Sequence, residues 1–523
     1  MVKARKLSFM GIVGILLVLM VSSTVMASQG DQWPSAGGNR QNTRYQASEH
    51  TISVSNVSSL TPKWVFTTGG DVSATPAVDT NAVYFPDWAG NLYAVDRFSG
   101  ALIWSVNIGD VTGIPGDKAR ATPAVTDDKI VIGTQGPFGG GGRVLAFNKF
   151  TGQVLWSTAA DTNPAAIITQ SATVFDGRVY VGVASQEELF SAVVPGYPCC
   201  SFRGSMLALD LNNGQILWKT YVAPEGYTGV AIWGSSPAID TKRGQVYIAT
   251  GNNYSVPDDV LQCVTNAGSD PVAQAACISP DNHFDSVLAL DLMTGQIRWS
   301  TRAVPFDAWT VDCIPFFGDG SNCPSPAGPD YDFGQAPALF TVKNGGKGKP
   351  SDLVGVGQKS GQYWALNPDS GAVVWETQAG PGGTAGGLQW GSAVDGTRVY
   401  TANANYNLVP WTLPGGSTIT SGVWSGLNAV TGEVLWQTTP PDGGSSSGPV
   451  TTANGLVFGC SLDAEGHMYA LDASNGTVLW SFASGGSCLS GAAISDGMVF
   501  WGSGYSNFGF GSANNQLYAF GLP

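Results

Sequence analysis

The 523 residues are enough for a large core, yet only 12% are charged, 70 are glycine, and tryptophan (17), tyrosine (16) and phenylalanine (22) are abundant. With no long Ala/Glu/Lys/Leu tracts, this balance excludes a mainly helical chain and favours short strands joined by glycine-rich turns. The formal charge of −14 argues against nucleic acid or an anionic membrane as partner, and would steer a basic protein towards the surface.

At the N-terminus Lys3, Arg5 and Lys6 precede an apolar run from Leu7 to Met26, which ends in Val25-Met26-Ala27 before Ser28-Gln29-Gly30. Residues 1–27 read as a signal peptide cut after Ala27; an uncleaved anchor is the alternative, because the run is nearly long enough to span a bilayer. Either way the remainder is exported, periplasmic or secreted, with no membrane span after signal removal. In an oxidising compartment the eight cysteines read as four disulfides.

Residues 28–59 form an N-terminal extension, and a repeat organises 60–523. The segment "LYAVDRFSGALIWS" (92–105) returns as "VLAFNKFTGQVLWS" (144–157), "MLALDLNNGQILWK" (206–219), "VLALDLMTGQIRWS" (287–300), "YWALNPDSGAVVWE" (363–376), "GLNAVTGEVLWQ" (426–437) and "MYALDASNGTVLWS" (468–481). Each copy has a glycine four residues before a tryptophan, from Gly100/Trp104 to Gly476/Trp480, and an Asp or Asn four residues before the glycine. The unit is strand, tight turn, strand. A second pair of apolar alternating runs precedes each unit, as in "ATPAVDTNAVYFPD" (74–87). Four strands per repeat, at spacings from about 40 residues upward, predict the blades of an all-β propeller.

The eighth unit is split. "SGAAISDGMVFWGS" (490–503) and "NQLYAFGLP" (515–523) supply three strands, and "LTPKWVFTT" (60–68) supplies the missing outer strand with Trp64. Pairing the two ends closes an eight-bladed ring and removes an exposed sheet edge. The tryptophans should lie between successive blades with their N–H on a backbone acceptor.

The long insertions fall in loops that emerge on one face, and they carry all eight cysteines. Order and proximity suggest Cys263–Cys277, Cys313–Cys323 and Cys460–Cys488, three staples that reduce the entropic cost of ordering long loops. Cys199 is left with its neighbour Cys200 in "GYPCCSFR"; a vicinal disulfide would be strained, and free thiols or swapped pairings are the alternatives.

The repeats, the cysteine doublet and the surrounding loops resemble the quinoprotein alcohol dehydrogenases. These are eight-bladed propellers that hold pyrroloquinoline quinone (PQQ) with Ca²⁺ on the axis; the short, haem-free layout is most like the polyvinyl-alcohol-dehydrogenase-like members. The resemblance implies that Cys199 and Cys200 cover one face of the quinone and that Trp233, from "IWGSSPAID", covers the other. It implies a calcium set of Glu188 (with Glu187 as the alternative), Asn252 and Asp307. Arg120 would bind a cofactor carboxylate, Lys359 the quinone oxygens, and Gln389 and Trp390 would lie beside the ring, with Thr169 and Ser185 as lesser contacts.

The family motif Asp-x-Trp-Asp ends in the catalytic base. Here the chain reads Asp307-Ala308-Trp309-Thr310-Val311-Asp312, so Asp307 or Asp312 must serve, with Lys359 as the third catalytic residue. Ser446 stands where relatives carry a further cofactor-facing tryptophan. The activity implied is oxidation of an alcohol, secondary or polyvinyl-alcohol-like, to the carbonyl. No Cys-x-x-Cys-His occurs, so electrons would pass to an external acceptor such as cytochrome c. The rival readings are a non-catalytic scaffold for periplasmic or outer-membrane protein assembly, and a polysaccharide hydrolase or lectin-like binder. His50, His283 and His467 show no zinc spacing.

Overall fold

The computed structural model describes residue 1 and residues 32–137, 139–342 and 351–523; apart from Met1, the signal peptide expected over 1–27 lies outside them. Eight antiparallel blades follow one another in chain order. Blade 1 is Ala77–Val78, Ala82–Pro86, Asn91–Asp96 and Leu102–Asn107. Blade 8 is closed as the split repeat predicts: Thr61–Thr67 pairs with Gln516–Gly521, outside Met498–Ser503 and Ala493–Ser495. No helix among the described residues is long and apolar enough to cross a membrane.

The repeated alanine is explained by register. In blade 4 one row runs Ala238, Tyr247, Ala289, Trp299 across the four strands, and blade 8 repeats it as Ala493, Phe500, Ala519, Trp64. Alternating small and large side chains fill the row, so the third strand carries a small residue beside tryptophan, alanine in these blades and Gly426 beside Trp436 in blade 6.

Each indole N–H reaches a carbonyl of the next blade. Trp64 donates to Arg97, Trp104 to Lys149, Trp156 to Leu211, Trp218 to Leu292, Trp299 to Pro368, Trp375 to Ala429 and Trp436 to Ala473, at 2.9–3.3 Å. Trp480 completes the circle on Leu60. The repeat's glycine does not serve its own tryptophan. Gly295, at φ +71°, lies under Trp218 of the preceding blade, and a Cβ there would stand 2.5 Å from the ring, so both the turn and the contact require glycine.

The extension is part of the ring. Carbonyls of Trp33, Pro34, Arg40, Gln41, Thr43 and Arg44 accept from inner-strand amides of blades 1, 2, 4, 5, 6 and 7. Arg40 stacks on Phe175 of blade 3, and the Gln46 side chain donates to Ile494 of blade 8. One short segment therefore touches every blade. The three disulfides that order and proximity suggest form, Cys263–Cys277, Cys313–Cys323 and Cys460–Cys488, and Cys199 pairs with its neighbour Cys200, the pairing that the sequence left open.

Candidate active site

The loops of the cysteine-bearing face enclose a cavity of about 630 Å³ at the hub. Its wall draws on the segments just before the inner strands, which place Arg120, Thr169, Trp233, Asp332, Gln389 and Trp390. The end of a second strand and the segments that follow the second strands add Ser185, Glu188 and Lys359.

One end of this wall is cationic. The Arg120 guanidinium lies 4.8 Å over Trp390, its Nε is buried without a hydrogen-bond partner, and burial lowers its pKa. Trp390 in turn meets Trp233 edge-on at 5.3 Å, and Thr169 fixes the Trp233 backbone by donating to its carbonyl at 3.0 Å. A half-buried guanidinium whose Nε has no hydrogen-bond partner is costly, and its positive charge suits this end to an anion.

The other end is acidic. Lys359 donates to Asp330 at 2.8 Å and to Asp332 at 3.1 Å. Asp332 also accepts from Trp233 Nε1 at 2.9 Å and from the Asn252 amide at 2.7 Å. The Asn252 side chain donates to the carbonyls of Asn253 and Trp309. Lys359 is a single ammonium among Glu188, Asp307, Asp330 and Asp332, with Asp285 behind them. Burial, with repulsion from Asp332 and Asp307, pushes Glu188 up to about 7 against the pull of Lys359. Burial pushes Asp307 up to about 6, and Asp285 and Asp330 are raised well above the carboxylate range, again chiefly by burial. The neighbouring carboxylates hold Lys359 above its ordinary value despite burial. Negative charge exceeds positive here, which suits a bound cation, although no three His, Cys, Asp or Glu side chains among the described residues are arranged to hold a metal.

Of the expected residues, Arg120, Thr169, Ser185, Glu188, Trp233, Lys359, Gln389 and Trp390 come together on the cavity wall. The two aspartates considered as base do not reach it. Asp307 accepts from the amides of Asp330 and Tyr331, at 3.2 and 2.8 Å, and so positions the segment that carries Asp330 and Asp332. Asp312 accepts from Gly320 and Asn322 inside the loop stapled by Cys313–Cys323. Asp332, which sequence reasoning passed over, is the aspartate on the wall. Asn252 is buried behind it, and Ser446 is buried with its hydroxyl unpartnered while Ser447 lines the cavity.

Cys199 and Cys200 are not among the lining residues, although Cys200 and Trp233 pack against one apolar cluster. The two glutamates that open the helix Glu187–Val193 divide their work. Glu188 faces the cavity, while Glu187 accepts from Tyr197 Oη, the Ser201 amide and hydroxyl and the Phe202 amide, at 2.7–3.1 Å. Glu187 thereby clamps the turn that carries the cysteine pair.

The sequence matches the family model described as outer membrane protein assembly factor BamB (PQQ_2) over residues 48–301 and 359–520. The chain belongs to this family. The chain is 28% identical to polyvinylalcohol dehydrogenase of Sphingopyxis sp., over 93% of this chain and 74% of the relative. It is 25% identical to lupanine 17-hydroxylase [cytochrome c] of Pseudomonas sp., over 87% and 69%. The fold superposes on quinohemoprotein alcohol dehydrogenase from Comamonas testosteroni with a TM-score of 0.68 at 18% identity, covering 95% of this chain and 81% of that one. The structure of BamB from Moraxella catarrhalis gives a TM-score of 0.51 at 14% identity, covering 88% and 97%.

Proposed function

We propose that this member of the family is a PQQ-dependent alcohol dehydrogenase. Similarity to polyvinylalcohol dehydrogenases over most of the chain supports alcohol oxidation. The observation that carries the reading is the two-ended cavity: Arg120, its Nε unpartnered and no anion beside it, at one end, a crowded Glu188/Asp332/Lys359 set at the other, and Trp233 between them. The residues fit the cofactor by their chemistry, since Arg120 lacks the anion that a carboxylate would supply and Trp233 offers an aromatic face.

Bound PQQ would supply the oxidant, accepting hydride equivalents from the alcohol. The Asp332 carboxylate is the base that takes the hydroxyl proton, because it faces the cavity and Asp307 and Asp312 do not. Trp233 Nε1, the Asn252 amide and Lys359 aim it. Lys359 also offsets negative charge that develops beside it. Glu188 and Asp332, hard oxygen donors on the wall, are the residues that would hold Ca²⁺. Asp307 acts through the Asp330–Asp332 segment that it positions. Electrons then leave to an external acceptor, for which the acidic surface favours a basic cytochrome. Residues 28–59 and 60–523 work as one exported unit in the periplasm or outside the cell.

The test is to add PQQ with Ca²⁺ to the purified protein and follow dye reduction with primary, secondary and polyvinyl alcohols. Reduction that requires both PQQ and an alcohol supports the reading; absence of PQQ binding overturns it. The family description favours a second reading, a protein-assembly scaffold, which predicts no cofactor binding and no cost in function when Arg120 is replaced.

A further inference from the structure

The outer part of the hub cavity is built differently from its floor. Asp332 and Lys359 are 3% and 8% exposed, whereas Phe508 and Phe510, on the same cavity wall, are 59% and 43% exposed. Phe508 meets Trp88 edge-on at 6.2 Å, Tyr505 meets Trp88 at 6.1 Å, and Phe510 lies 5.0 Å from Tyr406. Five aromatic side chains from blades 1, 6 and 8 thus band the mouth.

Two observations mark the band as a built feature. Phe508 holds φ +58°, a left-handed conformation that costs a residue with a Cβ and persists only where its surroundings enforce it. The loop that carries it is pinned at both ends by Asp71, which accepts from the Ser506 amide and hydroxyl at 2.7 Å and from the Asn514 amide at 3.0 Å. Two phenylalanines are therefore held in water, at the entrance to a chamber whose floor is charged. Rings so placed offer apolar faces to the carbon skeleton of a ligand whose polar group reaches the floor.

We infer that this band is a hydrocarbon subsite. It rests on the alcohol-oxidation reading, and it makes the preferred substrate an alcohol whose hydroxyl-bearing carbon sits in an extended hydrocarbon chain. The carbinol hydroxyl reaches Asp332 while the chain lies across Trp88, Phe508, Phe510 and Tyr406. The blade 8 loop is then the specificity element, separate from the residues that bind charge.

The test uses secondary alcohols from propan-2-ol to decan-2-ol on PQQ- and Ca²⁺-loaded protein, and saturation-transfer NMR with octan-2-ol on cofactor-free protein. In the unsubstituted protein kcat/KM should rise with chain length and the octan-2-ol methylenes should receive saturation. In Phe508→Ala/Phe510→Ala the decan-2-ol to propan-2-ol ratio of kcat/KM should fall at least about 10-fold, mainly through KM, with loss of the methylene signal. Phe510→Ala alone, which leaves the left-handed residue in place, should show a smaller fall in the same direction. An unchanged ratio in both variants overturns the subsite and spares alcohol oxidation. Failure of the loaded protein to oxidise any alcohol, with methylene transfer still lost in the double variant, overturns the oxidation reading and upholds the band.

Discussion

At the rim of the propeller every docking indole finds a carbonyl of the next blade. At the hub, Arg120 Nε has no partner and both carboxyl oxygens of Asp285 are buried without a hydrogen-bond donor. The same blades build both regions, so the difference is one of purpose. At the rim the docking indoles are satisfied inside close-packed rows, which stabilises; the hub leaves Arg120 Nε and the Asp285 carboxyl unpartnered, which a folded protein tolerates where a ligand completes it.

Removing the one ammonium that holds the acidic end together should show the contrast most strongly. Lys359→Met leaves Asp330 and Asp332 without their counter-charge and should cost about 3–5 kcal/mol in urea denaturation, together with loss of turnover. At the rim, Trp299→Ala should cost about 3–5 kcal/mol through the cavity it leaves and the freed Pro368 carbonyl; its kcat should hold once the protein is folded. Equal loss of kcat in both variants would erase the distinction between the regions.

Arg120→Leu should behave in the opposite way. It removes a half-buried cation that has no counter-anion and whose Nε is unpartnered, so cofactor-free stability should hold or rise while PQQ affinity falls about 10–100-fold, measured by fluorescence titration. A fall in stability would mean that the guanidinium is already satisfied. Glu187→Gln weakens four charge-assisted contacts on the cysteine turn and should cost about 1–2 kcal/mol, detected as faster reduction of Cys199–Cys200 by thiol reagents.

The smallest effect is on the pH slope. Glu188 ordinarily titrates at 4.5 and is raised to about 7 in the folded chain. Between those values the folded state holds a proton that the unfolded state has released. Cofactor-free stability should therefore fall as pH rises through that window, and Glu188→Gln should flatten this part of the profile. A profile unchanged by the substitution would remove Glu188 from the acidic set.

The rim was legible because its signals recur. Glycine, tryptophan and the Asp or Asn turn repeat with fixed spacing, and the split eighth unit follows from counting. The hub was legible only where a position shared that register. Arg120, Thr169 and Gln389 each stand four residues before an inner strand, at Ala124, Thr173 and Ala393, and Trp233 stands five before Ala238. Asp332, six before Ala338, belongs to this series and could have been found by it. The inserted loop that holds Asp312 drew attention instead. No spacing could show that the carboxylates of Asp307 and Asp312 are taken up by backbone amides, since those bonds depend on how two long loops settle against each other. Nor does sequence separate Glu187 from Glu188, because one helical step decides which of them faces the cavity.

The strand Thr61–Thr67 pairs only with Gln516–Gly521, more than four hundred residues away. During synthesis it waits as an unpaired edge, and the circle cannot shut until the strand Gln516–Gly521 is present. Such high contact order slows folding and exposes a sticky margin meanwhile. Truncation by even one terminal strand should therefore trap an open, aggregation-prone horseshoe rather than a seven-bladed ring.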